Sequence, residues 1–461
     1  MRGHTGRSIM KKRTNRFWSL LLVMAVSFTM VFGSVGFAQA ATAGETKAAF
    51  TKTGDYLYRN VTEPSYGSVG GEWVIFGLGS AGYDMSDAYL AAYQKTVESR
   101  LTEGYRGTPG ILQDRAITDY CRVIMAYTAA GLDVTDVAGY DLLEPFAGKE
   151  RALWQNMNGP IWVLTALDAG KYEIPKLAEG AEFSGKAATQ NTRQAVINYI
   201  VANQLDDGGW DVSPKASARV STIDMTCMAL YALAPYAKQT KVKKAIDRGL
   251  QNLSDYQTAN GGFLYTGKGG DYTSESCAWA IMALTANGIN PNTDKRFIKN
   301  GNSVVDALLS FYDAEVGGFR HVNKASGSYE ATVNQMSTEQ AYYALAQYYK
   351  TVPTQTSLTK AAKAGSGKVK VSWKKSTVNT DYVTKKSGKT AGVSGYQIVL
   401  ATDKKFSKNV KKVTVSGTKT LIKTVTGLKK GKTYYVKVRA YKLVNGKKLY
   451  GAYSAAKSVK C

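Results

Sequence analysis

Gln204-Leu205-Asp206-Asp207-Gly208-Gly209-Trp210 decides the fold, because the chain repeats it. It returns as Gln257-Thr258-Ala259-Asn260-Gly261-Gly262-Phe263, then as Asp313-Ala314-Glu315-Val316-Gly317-Gly318-Phe319. A weaker copy, Gln155-Asn156-Met157-Asn158-Gly159-Pro160, precedes them, and successive starts lie 49, 53 and 56 residues apart. Self-similarity at this period marks a repeat architecture built from helical pairs. A second element recurs with it. Trp73-Val74-Ile75-Phe76-Gly77-Leu78 matches Trp162-Val163-Leu164-Thr165-Ala166-Leu167 and Trp279-Ala280-Ile281-Met282-Ala283-Leu284. Gly82, Gly170 and Gly288 follow these segments. Cys121 to Gly131 is a degenerate copy with Arg122 at the Trp position, and Met225 to Tyr236 and Gln340 to Tyr349 are further helices of the kind.

The unit has a physical logic. Ala and Gly on one face allow close helix approach, large apolar residues elsewhere bury the helix on most sides, and Gly at the end supplies a left-handed cap. The Gly-Gly pair permits tight backbone contact, the aromatic after it plugs the gap, and the Gln is expected to bond backbone at an adjacent helix end. Amphipathic segments alternate with the apolar ones: Ser86–Leu101, Asn191–Asn203, Lys241–Leu253 and Val304–Phe311. About eleven helices in such pairs predict a ring or solenoid. Tyr199-Ile200, Gln204, Gly208-Gly209 and Trp210 resemble the QW repeat of squalene–hopene cyclases and protein prenyltransferase β subunits. The resemblance covers about residues 60–350 and implies an α/α toroid, a fold shared with cobalamin carriers and complement-like thioester domains.

The chemistry of those families is not carried over with the repeat. The prenyltransferases' catalytic zinc needs Asp, Cys and His, and His321 is the one His after residue 40. The cyclases' D-x-D-D acid cluster is missing; Asp224, in Ser221-Thr222-Ile223-Asp224, reads as a capping box at a helix start. Asp206-Asp207 reads as a solvated loop, and no Cys-Gly-Glu-Gln thioester motif occurs. Cys121, Cys227 and Cys277 sit in apolar helical patterns as small core residues; Cys461 ends the chain without an evident partner. No metal site and no cofactor is expected.

Inner helices of a toroid turn their first turns toward one end of a central hollow. Asp119, Asp224, Ser274, Glu275, Trp279 and Glu339 are thus the candidate ligand-binding residues of an aromatic, mildly acidic cup, with Trp73, Trp162 and Thr338 nearby. The alternative for each Trp is a core plug, since they recur at one structural position.

Charge divides the chain further. The formal net charge is +25 over 461 residues, yet residues 41–353 balance to −5. Residues 354–461 hold 25 Lys, one Arg and two acids, Asp381 and Asp403. After a Gly/Ser/Lys-rich joint the pattern alternates with period two: Val369, Val371, Trp373; Tyr396, Ile398, Leu400; Tyr434 to Ala440; then Asn445-Gly446 as a hairpin turn. Leu428 to Tyr434, with Gly431, resembles the tyrosine corner of fibronectin type III domains, and Trp373 stands where their early core Trp belongs. The resemblance implies a β-sandwich.

Residues 1–40 read as a signal peptide, with Lys11, Lys12, Arg13 and Arg16 before an apolar run and Ala38-Gln39-Ala40 at its end. The expected organisation is 1–40 signal peptide, 41–353 toroid, 354–368 linker and start of the first strand, and 369–461 sandwich. A secreted or cell-envelope bacterial protein follows as the expectation, with no transmembrane segment after cleavage. Its toroid is expected to bind a small molecule, glycan or peptide. Its Lys-rich sandwich is expected to act as a spacer or to meet an anionic cell-wall polymer rather than nucleic acid, whose readers favour Arg forks and stacking aromatics. The alternatives are an enzyme on the toroid, terpene cyclase-like or polysaccharide lyase-like, and a purely structural or adhesive surface protein.

Overall fold

A computed structural model describes residues 43–213, 220–267, 269–378 and 392–461. The expected signal peptide and Asp381 lie outside the described residues. Twelve α-helices follow one another: α1 (Ala43–Asn60), α2 (Trp73–Ala81), α3 (Asp87–Glu103), α4 (Ile117–Ala130), α5 (Lys149–Ala152), α6 (Asn158–Gly170), α7 (Arg193–Ala202), α8 (Ile223–Leu233), α9 (Thr240–Tyr256), α10 (Ser274–Ala286), α11 (Val304–Leu309) and α12 (Gln335–Thr351). A two-stranded excursion, β1 (Glu182–Phe183) and β2 (Lys186–Ala187), precedes α7.

Six of the helices close a ring. α2 packs on α4, α4 on α6, α6 on α8, α8 on α10, α10 on α12, and α12 returns to α2. Outside them, α1 lies on α12, α7 on α6, α9 on α8 and α11 on α10. The sequence shows why. All 13 residues of α10 are buried, as an inner helix touched on every side requires. α9 buries Val242, Ala245, Ile246, Gly249, Leu250 and Leu253, one stripe at helical spacing, and leaves its lysines outside. The six inner helices run the same way, since residues of their first turns bond one another at one end and residues of their last turns line one cavity at the other.

The repeat loops lock this arrangement. The first glycine of each pair has φ near +90° (Gly208 91°, Gly261 88°, Gly317 93°), a conformation costly for side-chain-bearing residues. The second has no room for a methyl: a Cβ on Gly209 would lie 2.4 Å from the Ser221 Cβ, and one on Gly318 2.5 Å from a Val333 methyl. Gln204 Nε2 donates to the Gly208 carbonyl (2.7 Å) and the Ala245 carbonyl (2.8 Å), and Gln257 repeats the pattern on Gly261 and Phe297. Ala245 lies inside α9, so this Gln stitches its loop to a helix flank and not to a helix end. The Trp210 indole N–H donates to the Ile200 carbonyl at 2.8 Å, and the ring is fully buried.

Three local expectations are corrected. Ser221 and Asp224 form no capping box: Thr222 is the N-cap, without a side-chain bond, and the Ser221 hydroxyl donates to Asp207 at 2.9 Å. A capping box forms instead at Ser303 and Asp306. Asp207 is not a solvated loop residue. It accepts from the Ser221 and Gly209 amides and from the Tyr256 hydroxyl, and these donors outweigh burial and hold its carboxyl below the ordinary range. Gly82 and Gly131 are left-handed caps as expected, but Lys171 (φ 59°) takes that role after α6 and Gly170 stays helical.

The C-terminal β-domain is a sandwich. One sheet pairs β3 (Leu358–Lys363), β4 (Val369–Trp373) and β7 (Ile422–Val425); the other runs β10 (Lys457–Lys460), β8 (Thr433–Val444), β5 (Gly395–Ala401), β6 (Lys411–Ser416), with β9 (Lys447–Tyr450) also on β8. Val369, Val371, Trp373, Tyr396, Ile398, Val436 and Val438 fill the space between the sheets. Tyr434 makes the corner, its hydroxyl oxygen accepting from the Lys429 amide at 3.1 Å.

The β8–β9 hairpin reaches back to the ring. Asn445 (φ 47°) and Gly446 (φ 76°) form its two-residue turn, both left-handed as a right-twisted hairpin demands. The Asn445 amide donates to the Ala286 carbonyl (3.0 Å), Lys447 Nζ to Asn287 Oδ1 (3.1 Å), and Asn290 Nδ2 to the Tyr450 carbonyl (2.8 Å). Ala286 ends α10, where carbonyls lack helical partners, so the hairpin caps a ring helix.

Candidate functional site

The ring has two ends, divided at its axis by aromatic side chains. Trp73, Trp162 and Trp279 open the recurring Trp-to-Leu segments of α2, α6 and α10, which are alternate members of the ring. They therefore converge. Their ring centroids lie 5.3, 5.4 and 6.4 Å apart, all edge-to-face, a geometry favoured by the aromatic quadrupole. The three Trp pack on one another as a plug, with Trp162 and Trp279 buried and Trp73 half-buried.

The sequence-derived site residues lie at the end where the inner helices begin, and they enter helix-to-helix networks. Asp119 binds Arg122 (2.6 Å) and accepts from the Tyr66 hydroxyl (3.3 Å); Arg122 also approaches Glu72 (3.8 Å). Asp224 accepts from the Ser276 hydroxyl at 2.6 Å. Ser274 donates to Glu275, which also faces His321 Nδ1 at 2.9 Å and accepts from Ser337. Glu339 accepts from the Gly70 amide and Gln335, both at 2.8 Å. The Trp279 indole donates to Gln340 at 2.8 Å. Thus Asp224, Ser274 and Glu275 belong to one neighbourhood spanning α8, α10 and α12, while Asp119 and Glu339 hold two others. Ser274, Glu275, Trp279 and Glu339 are buried.

Burial raises three acids at this end, Asp224, Glu72 and Glu339. It pushes Asp224 up to about 6, against the Ser276 hydrogen bond, with Glu275 adding repulsion and His321 opposing it. Glu72 and Glu339 are pushed up to about 7 for the same first reason, desolvation of the charged form. The hydrogen bond to Glu275 raises His321.

A cavity of about 450 Å³ opens at the opposite end, where the inner helices finish. All six contribute: Phe76 and Ser80, Met125 and Thr128, Thr165 and Asp168, Tyr231, Ala286, and Tyr343 with Gln347 and Lys350. Val444 and Asn445 of the hairpin complete the wall, so the β-domain is part of the site. Phe76 packs on Tyr343 (4.2 Å) and on Trp73 (6.0 Å), giving an aromatic floor above the Trp plug. The Tyr231 and Tyr343 hydroxyls share a hydrogen bond of 2.7 Å.

Two charged groups meet this cavity. Asp168 uses one oxygen for Arg193 (2.5 Å) and the Tyr236 hydroxyl (2.7 Å), and its other oxygen, Oδ2, is buried without a partner. Burial raises its carboxyl despite those two donors. Lys350, in the last turn of α12, is depressed by desolvation and by the neighbouring Lys442. Ring order places α6 opposite α12, so the carboxylate and the ammonium stand on facing walls.

The sequence reading did not single out Asp168, Lys350, Tyr231, Tyr343 or Asn445. A signal existed: Asp168 follows Leu167 at the end of an otherwise apolar inner helix, where core packing has no use for a carboxylate. Among the described residues no group of three His, Cys, Asp or Glu is placed to hold a metal ion, and no helix is long and apolar enough to cross a membrane.

No family model and no curated protein matches the chain. Solved structures share parts of it. The ent-copalyl diphosphate synthase of Streptomyces platensis aligns at 21% identity and a TM-score of 0.38 over 60% of this chain and 49% of the synthase, so the chain spans about half that enzyme's length. The type II terpene cyclase MstE from Scytonema, in complex with geranylgeranyl dihydroxybenzoate, aligns at 12% identity and a TM-score of 0.42 over 66% of this chain and 97% of the cyclase. The FN5 domain of Drosophila Lar aligns at 28% identity and a TM-score of 0.17 over 24% of this chain and 96% of that domain. The helical ring and the sandwich stand on the contacts and strand pairings described above.

Proposed function

We propose that this chain is an exported, non-catalytic binding protein whose ring holds a small organic ligand at the end where its inner helices finish. The observation that carries the reading is the cavity of about 450 Å³ whose wall is shared between ring and hairpin. Its size falls in the range of ordinary ligand sites, and its wall mixes an aromatic floor with polar side chains such as Thr128, Gln347 and Asn445. The β-domain then has two roles. Its hairpin closes the cavity, and its lysines hold the molecule near an anionic envelope polymer, an attraction that weakens as salt rises.

The test uses the anionic dye 1-anilinonaphthalene-8-sulfonate, excited by energy transfer from the Trp plug below the floor. Wild type binds the dye at one site, and a Ser80→Trp/Ala169→Trp variant that fills the cavity from two walls loses that site while keeping its melting temperature. Undiminished dye transfer in the filled variant counts against the cavity.

A second reading has an observation of its own. Buried acids at the other end, Asp224 raised to about 6 and Glu72 and Glu339 to about 7, are groups that keep a proton near neutrality, as acid catalysis requires. Their hydrogen bonds run between helices, and the Trp plug separates them from the cavity. Incubation with geranylgeranyl diphosphate separates the two readings: a cyclised product that disappears in Asp224→Asn establishes the enzyme.

A further inference from the structure

The cavity's unpartnered groups describe its occupant more closely than its size does. This argument rests on the ligand-binding reading above. Most polar side chains on the wall are already engaged. The Thr128 and Thr165 hydroxyls donate to the Ile124 and Ile161 carbonyls of their own helices (2.6 and 2.8 Å), Tyr231 and Tyr343 share a hydrogen bond, and the Asn445 amide donates to Ala286. Asp168 pairs with Arg193, and its second oxygen is sealed from the cavity.

Three lining side chains have no partner among the described residues: Ser80 near the end of α2, and Gln347 and Lys350 in the last turns of α12. They lie together. Gln347 and Lys350, three residues apart, share a helix face, and α2 packs directly on α12. All three can donate hydrogen bonds, and the ammonium alone is charged. Lys350 forms no ion pair among the described residues; the charged group acting on it is Lys442 of β8, which has no acid partner there either. Burial depresses both ammonium groups, as positive charge held out of water without a counterion requires. The carbonyl ends of the inner helices carry partial negative charge, which suits a lysine in the last turn of α12. Carbonyls at other ends are already taken, by the Gly82 amide at Gly79, the Gly131 amide at Thr128 and Asn445 at Ala286. An anion entering here meets two ammonium groups and no unpaired acid.

We infer that the cavity takes an amphiphilic anion, its carboxylate seated on Lys350 and Gln347 of α12 and its apolar body lying on Phe76, Met125 and Ala129. A medium-chain or aryl-substituted carboxylic acid has this chemistry. An alcohol of the same body leaves the Lys350 charge unbalanced, and an amine adds to it.

Calorimetric titration of the full chain tests the inference with octanoate, decanoate and 3-phenylpropanoate, against 1-octanol, octylamine and 3-phenyl-1-propanol. At least one carboxylate is expected to bind about tenfold or more tightly than the alcohols and the amine. Lys350→Met brings that carboxylate to within about twofold of the alcohol, and Lys350→Arg keeps its advantage. An alcohol or amine that binds as tightly as the best carboxylate, or carboxylate affinity unchanged in Lys350→Met, overturns the anion and leaves the cavity reading standing. So does failure of every probe while dye transfer is still lost on cavity filling. Failure of every probe, together with dye transfer that survives cavity filling, overturns both.

Discussion

Glu339 provides the sharpest test of the electrostatics inside the ring. Its side chain is 1% exposed, one oxygen accepts from the Gly70 amide and Gln335, and the other is buried without a partner. The described group facing it with a titratable proton is Tyr89, a neutral neighbour at these pH values because burial raises it further. Desolvation lifts the Glu339 carboxyl from 4.5 to about 7. Folded protein therefore binds more protons than unfolded chain between those values. The associated stability is fully present below about 4.5 and is lost as pH rises through about 7. At about 1.4 kcal/mol per pH unit, the loss is about 3 kcal/mol. Glu339→Gln removes the titration and keeps the acceptor. It places amide hydrogens where the unpartnered oxygen stood, at a cost of about 1 kcal/mol. The variant should therefore lie within about 1 kcal/mol of wild type at pH 5 and be about 2 kcal/mol more stable at pH 8. Urea unfolding followed by Trp fluorescence at the two pH values measures this. Glu72 titrates alike in both proteins and cancels in the difference. An equal difference at pH 5 and pH 8 refutes the assignment of a desolvated, unpaired carboxyl.

The remaining predictions concern the scaffold. Gly209→Ala forces a methyl to within 2.4 Å of Ser221 and 2.6 Å of Thr226 Oγ1 and should cost about 1–3 kcal/mol in urea unfolding, as overpacking does. Tyr434→Phe deletes the corner bond to the Lys429 amide and should lower sandwich stability by about 1 kcal/mol, read from the thermal midpoint. Asn445→Gly keeps the turn geometry and deletes the cap on Ala286, so amide exchange at the end of α10 should accelerate about fivefold, with the rest of the ring unchanged.

The ring was legible because its information is repeated. The Gly-Gly-aromatic loop states one packing solution three times, and the recurring Trp of α2, α6 and α10 states another. The sandwich was legible through alternation and through Tyr434. What escaped was whatever depended on one contact made once. Ser221 read as a cap because Thr222, Ile223 and Asp224 fit the spacing, but Asp207, brought close by its loop, took its hydroxyl. The Trp residues were named as cup or plug, and ring closure, by setting alternate helices face to face, brings their rings into contact. The cavity was invisible because its wall joins Asp168, Lys350 and Asn445, which share no repeat position and belong to two different domains.

Ring closure also sets a timetable for folding. α12 must return to α2, more than 250 residues earlier, before either is covered on both sides. A linear array of repeats can fold its first units while the rest is still being made. Here the first inner helix waits for the last, and contacts of such separation in sequence form slowly. The chain thus stays open until residue 351 has emerged.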